Sequence, residues 1–165
     1  MTKITMLGTG CGGVLNFYNT CFIIQNANDN LLVDTGGSIE IIKRIKEIGL
    51  DLKDIKNIFI SHSHTDHILG IFWLFKKISV LAMHGEITNK INLYCNDVVY
   101  EAIKEVSKHI LPKKLMDIIY EITNFIILND GDKHTICDIN FEFFDIVCCP
   151  KRRSIISKSR YRKRN

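Results

Sequence analysis

Ser61-His62-Ser63-His64-Thr65-Asp66-His67 places three imidazoles and a carboxylate within the six positions from 62 to 67. His62 and His64 lie two apart, directly after the apolar run Asn57-Ile58-Phe59-Ile60. Side chains two apart on an extended chain share one side, so both rings can serve a single metal ion. Asp66 and His67 then open a helical pattern, where they can face a second ion beside the first. Borderline cations such as zinc take imidazole nitrogen and carboxylate oxygen, and an open position can hold a water whose pKa falls to roughly 7. Surface histidines also cluster by chance. Four ligand-type residues between a strand pattern and a helix pattern outweigh that reading.

His62-x-His64-x-Asp66-His67, followed by Gly70, resembles the HxHxDH motif of the metallo-β-lactamase fold superfamily. Other segments agree in order, from about residue 3 to residue 146. Ile4-Thr5-Met6-Leu7-Gly8-Thr9-Gly10 is similar to the first strand and turn of ribonuclease Z-like members, and Leu31-Leu32-Val33-Asp34-Thr35-Gly36-Gly37 to their strand ending in Asp-x-Gly. Ile58-Phe59-Ile60-Ser61 resembles the strand that delivers the motif. The resemblance implies an α/β fold, the N-terminal part of an αββα sandwich. It implies two divalent metal ions, zinc first with manganese or iron as alternatives. His62 and His64 would bind one; Asp66 and His67 would bind the other. Asp66 would also orient or deprotonate the attacking water, and Asp34 would support the histidine loop from beneath. The implied reaction is hydrolysis of a phosphodiester or related ester in a small-molecule or nucleic-acid substrate, by hydroxide held between the metals.

Departures from the family pattern are equally specific. A third histidine for the first metal is expected at the end of a later strand, with a bridging aspartate and a final histidine beyond it. Asn140 to Ile146 reads as that strand, yet the next residue is Val147. Composition then changes: Lys151 to Asn165 carries eight Lys or Arg and no acid. A partial domain over 1–146 and a basic, disordered tail over 147–165 are therefore expected. The tail has two readings, an RNA-binding arm or the product of a shifted reading frame, and the position of the switch favours the second. A catalytically inactive chain with weak metal binding and an RNA-binding module thus stand beside the hydrolase.

Charge must be divided before it is interpreted. The chain carries 22 basic and 18 acidic side chains, but eight of the basic ones lie in the last fifteen residues, leaving residues 1–150 with 14 against 18. Any case for RNA contact rests on the tail alone.

Among the remaining histidines, His134 follows the turn signal Asp130-Gly131-Asp132 but precedes the last strand, which suits a solvated hairpin better than a ligand. His84 and His109 fall in a loop and near a helix end. Gly8-x-Gly10-x-x-Gly13 matches a dinucleotide fingerprint literally. Residues 14–26 read as a loop and a strand where the fingerprint requires a helix, so no nucleotide cofactor is expected. The six cysteines form no CxxC pair and read as free thiols of a cytoplasmic protein. No signal peptide opens the chain, and no apolar run can span a bilayer.

Period-two patterns place strands at Lys3 to Leu7, Cys21 to Gln25, Asn30 to Asp34 and Asn57 to Ser61, with a turn at Asn26-Ala27-Asn28-Asp29. Ser38 caps a helix through about Ile48, whose Ile41, Ile42, Ile45 and Ile48 make one apolar stripe ended by Gly49. A helix follows from Asp66 to about Lys77. Then come a strand at Ile91 to Cys95, helices at Asp97 to Ile110 and Lys113 to Tyr120 broken by Pro112, and strands at Phe125 to Leu128 and Asn140 to Ile146. Half a sandwich exposes an apolar sheet face, so either poor folding or pairing with another copy or fragment is expected.

Overall fold

A computed structural model describes residues 2–26, 29–149 and 152–160. Six strands form one sheet in the order β1-β2-β3-β4-β5-β6, with β1 Lys3–Gly8, β2 Cys21–Asn26, β3 Asp29–Val33, β4 Asn57–Phe59, β5 Ile91–Cys95 and β6 Thr123–Ile127. β1, β2 and β3 run antiparallel, whereas β3 to β6 run parallel. Parallel neighbours need crossovers, and each is helical: α1 Glu40–Glu47, α2 Thr65–Met83, then α3 Asp97–Ile110 with α4 Lys113–Ile122.

All four helices cover one face of this sheet. Their buried residues, among them Ile41, Ile45, Ile71, Phe75, Val99, Ile103 and Ile119, join Ile23, Leu32, Ile58 and Leu93 of the strands in one core. The opposite face packs against a second sheet of three strands, β7 Lys133–Ile136, β8 Ile139–Cys149 and β9 Arg152–Arg160. Alternation along the strands supplies this second core: Ile24, Leu31, Val33, Phe59 and Tyr94 point away from the helices and meet Phe141, Phe143 and Ile155. Three layers result, α/β/β. Among the described residues no helix lies on the outer face of the second sheet, where Ile146 and Ile156 stay 37% and 47% exposed.

The expected elements recur with three differences. α2 continues beyond Lys77 to Met83, because Ile78 to Met83 contains no breaker and Ser79 Oγ returns its hydroxyl to the Phe75 carbonyl at 2.7 Å. β7 has no alternation strong enough to announce it, so His134 lies in a strand, its ring 5.6 Å from that of Tyr94 and 6.0 Å from that of Phe143. The third difference corrects the disorder expected of the basic segment: Arg152–Arg160 is β9, paired antiparallel along β8. Ser154 and Ile155 are buried there, so Arg153-Ser154-Ile155-Ile156 carries enough apolar surface to hold a strand against β8. Residues 161–165, and Ala27 and Asn28 of the expected turn, lie outside the described residues.

At the start of α1 the N-cap position falls on Ile39, without a side-chain cap bond, one residue after the expected Ser38. Ser38 Oγ accepts the Glu40 amide at 3.2 Å, and Gly49 closes α1 with φ 81°. Close packing of α2 depends on one glycine. A Cβ at Gly70 would stand 1.9 Å from the Thr35 carbonyl oxygen, and the Gly70 amide donates to the Gly36 carbonyl at 2.9 Å. That contact seats the second turn of α2 on the loop after β3.

Candidate metal centre

The site is built where β3 and β4 end and α2 begins. At the end of β3 the Asp34 amide donates to the Phe59 carbonyl, and Asp34 then turns into the left-handed region at φ 56°. Aspartate tolerates that conformation better than most residues. The turn buries its carboxylate, 7% exposed, under the histidine loop. A buried charge must be met by donors, and three groups meet this one. Ser61 gives its amide at 2.8 Å and its hydroxyl at 2.8–2.9 Å, and His67 Nδ1 lies 2.7 Å away.

The ligand-type residues fall into two pairs. His62 Nε2 and His64 Nδ1 are 3.0 Å apart. Asp66 Oδ2 and His67 Nε2 are 3.3 Å apart. The pairs adjoin, since the His62 and His67 ring centroids are separated by only 4.2 Å. Two donors sharing a tetrahedral zinc-class ion with bonds near 2.0–2.1 Å lie roughly 3.3 Å apart. Each pair therefore fits half of such a shell. Among the described residues no group of three or more His, Cys, Asp or Glu is gathered around one point. The position expected to carry the third histidine, Val147, is in β8, but the side chains from 147 to 153 lie outside the description.

Electrostatics distinguishes the two pairs. Burial pulls the His62 ring below its ordinary pKa of 6.5, and the neighbouring His67 adds to the effect. Burial also acts to lower His67, but the hydrogen bond and charge of Asp34, with Asp66 behind them, outweigh it and leave His67 raised. Both Asp66 and His67 remain about a fifth exposed, at 21% and 20%, so the second pair is open to solvent.

Supporting residues complete the loop. The His67 carbonyl takes both the Thr35 amide at 2.9 Å and the Thr35 hydroxyl at 2.8 Å, while Tyr18 Oη donates to the Thr35 carbonyl at 2.8 Å. The Ile155 amide in β9 donates to the Ser61 carbonyl at 2.9 Å, so the basic strand reaches the histidine loop. Gly12 passes over the site, where a Cβ would stand 3.2 Å from Asp66 Oδ2. Sequence reasoning missed Ser61, Thr35, Tyr18, Gly12 and Ile155 as supports. Only Ser61 carried a signal, its place between the strand and the first histidine.

His134 is packed against aromatic rings in β7, His84 follows the last residue of α2, and His109 sits in the last turn of α3. Gly8 and Gly10 lie against the backbone of residues 17–19.

A mixed sheet with helices on one face, a second sheet on the other and a histidine loop at the strand ends defines the metallo-β-lactamase fold. Solved structures agree. The metallo-β-lactamase fold protein YhfI from Bacillus subtilis superposes with a TM-score of 0.76 at 18% identity, over 96% of this chain and 58% of that one. A diphosphatase from the PhnP family superposes with a TM-score of 0.69 at 18% identity, over 93% and 61%. The chain belongs to the Anti-Pycsar protein Apyc1 family, whose match covers residues 2–159 and is not interrupted by the change of composition at residue 147.

Curated relatives place it in the ribonuclease Z-like branch of this hydrolase superfamily. The Anti-Pycsar protein Apyc1 of Bacillus phage vB_BsuM-Goe3 is 39% identical over 71 residues, 42% of this chain and 27% of that protein. A probable RNase, MJ4 of Methanocaldococcus jannaschii, is 30% identical over 149 residues, 88% of this chain and 34% of that protein. The chain thus spans about a quarter to a third of the curated relatives it matches.

Proposed function

We propose that the chain is a metal-dependent phosphodiesterase whose two divalent ions, zinc first, are held by His62 with His64 and by Asp66 with His67. The carrying observation is the geometry of the two donor pairs, at 3.0 Å and 3.3 Å, over one shared Asp34. When bound, divalent metal at this site supplies Lewis-acid activation of water and stabilises charge developing on a phosphoryl group. The chain's own residues do the rest. Asp66, about a fifth exposed at the opening, would take the proton of the attacking water on its second oxygen, Oδ1, since Oδ2 is the donor paired with His67. The Asp34 carboxylate accepts a hydrogen bond from His67 Nδ1, which turns Nε2 toward the site. The amino end of α2, beginning at Thr65, favours an anionic substrate there.

Phosphodiester chemistry is supported by the ribonuclease names of two relatives and the diphosphatase among the solved structures. A cytoplasmic setting belongs to the same reading, since Cys21, Cys95 and Cys137 are buried free thiols. Among the described residues no helix is long and apolar enough to cross a membrane. The test is turnover of an activated phosphodiester, bis(p-nitrophenyl) phosphate, by protein loaded with zinc or manganese. Activity lost in His64→Ala supports the reading, and no turnover above background in the wild type overturns it.

A second reading is favoured by one specific observation. Catalytic zinc sites ordinarily have three protein ligands, and each described pair supplies two. In that reading the chain binds less than one equivalent of metal weakly and turns over nothing. RNA contact through β9 and pairing of two copies through the outer face of the second sheet are further proposals. The former predicts RNA affinity that is indifferent to His64→Ala and lost on removing residues 151–165.

A further inference from the structure

Ser61 stands at a junction that the metal-site reading does not use. Its amide and hydroxyl both go to the buried Asp34 carboxylate, its carbonyl takes the Ile155 amide, and its Oγ lies 2.9 Å from His62 Nδ1. Proton accounting over these contacts has one consistent solution. A carboxylate only accepts, so the single hydroxyl proton of Ser61 is committed to Asp34, 2.8 Å from Oδ2 and 2.9 Å from Oδ1. Ser61 Oγ then has only lone pairs left for His62, and a hydrogen bond at 2.9 Å requires the ring to donate. His62 must therefore carry its proton on Nδ1. Its Nε2, 3.0 Å from His64 Nδ1, then carries no proton and can act only as an acceptor.

We propose that Ser61 is a positioning residue that relays the Asp34 carboxylate to His62 and fixes the Nδ1–H tautomer, leaving Nε2 unprotonated as the nitrogen a metal ion would take. Asp34 acts on His67 directly at Nδ1 and on His62 through one hydroxyl, so a single buried charge orients a nitrogen in each donor pair. The partner of one imidazole nitrogen decides which nitrogen is protonated, and such partners change metal affinity by roughly 10–100-fold. The role of Nε2 as a ligand rests on the metal-site reading; the tautomer does not.

Nitrogen-15 correlation spectra of the His62 ring in the metal-free wild-type protein, combined with a zinc titration, separate the two. The inference expects His62 protonated on Nδ1, a shift toward Nε2–H in Ser61→Ala with about 10–100-fold weaker binding of one zinc equivalent, and restoration of both in Ser61→Thr. His62 protonated on Nε2 in the wild type overturns the inference even where two zinc ions bind. An Nδ1–H ring in a protein that binds no zinc sustains the tautomer and sinks the metal-site reading instead. Unchanged tautomer and affinity in a folded Ser61→Ala also overturn it. Should Ser61→Ala fail to fold, the wild-type spectrum and Ser61→Thr still decide.

Discussion

The two donor pairs differ in how they are held. Asp66 and His67 lie in the first turn of α2, and His67 is tied to Asp34 without an intermediary at 2.7 Å. His62 and His64 occupy the irregular link between β4 and α2, and their connection to Asp34 passes through Ser61. A helix start is rigid, whereas a loop is only as rigid as the groups that tie it down. The comparison teaches that the second pair is fixed by secondary structure, and the first by a hydrogen-bond relay and the β9 amide that clamps Ser61.

Removing the shared anchor should have the largest effect. Asp34→Ala leaves Ser61 and His67 without their common acceptor, and breaking a buried charged network costs roughly 3–5 kcal/mol. Urea unfolding should show that loss, and neither zinc equivalent should bind. A stability change under about 1 kcal/mol would mean that Asp34 is not the common support.

Gly70→Ala comes next and strikes the second pair. With a Cβ 1.9 Å from the Thr35 oxygen, the amino-terminal part of α2 must move. Overpacking of this kind costs about 1–3 kcal/mol. Thermal melts should register it, and zinc at Asp66 and His67 should weaken more than zinc at His62 and His64. Equal weakening of both would remove the distinction between them.

Acidification sharpens the same contrast. His67 is raised above 6.5 and His62 lowered below it, so in metal-free protein His67 should gain its proton at higher pH than His62. Because the folded pKa of His67 exceeds the unfolded one, its contribution to stability is complete below 6.5 and fades as pH rises through the folded value. His62 acts oppositely: its depressed pKa costs stability as pH falls below 6.5, where the unfolded chain protonates first. Proton NMR titration of the ring signals checks the order, and coincident titration would contradict it.

The smallest effect is expected at Gly12→Ala. Its Cβ at 3.2 Å from Asp66 Oδ2 asks only for a shift of a few tenths of an ångström, so a few-fold loss of zinc affinity at the second pair should suffice. An unchanged affinity would show that the carboxylate yields freely.

Much of this molecule could be read from the chain because its signals are local. The alternation in β2 and β3, the stripe of Ile41 and Ile45, and the density of ligands from His62 to His67 each speak through nearest neighbours. What escaped was set by distant partners. β9 reads as a basic tail because its burial rests on β8 pairing and on a core shared with Phe59 and Phe143, neither visible in Arg152 to Arg160 alone. The role of Ser61 as a tie escaped because two of its three partners, Asp34 and Ile155, come from distant parts of the chain. Asp34 could be placed beneath the loop through the resemblance, whereas its left-handed backbone and its use of Ser61 as a relay required the folded geometry.

The central claim is that two donor pairs over one carboxylate hold two metal ions, and counting metal tests it most directly. Zinc should be titrated calorimetrically into metal-free wild-type protein and into His64→Ala. Two equivalents in the wild type and one in His64→Ala is the predicted result. Less than one equivalent in the wild type, or a stoichiometry indifferent to His64, would contradict the account.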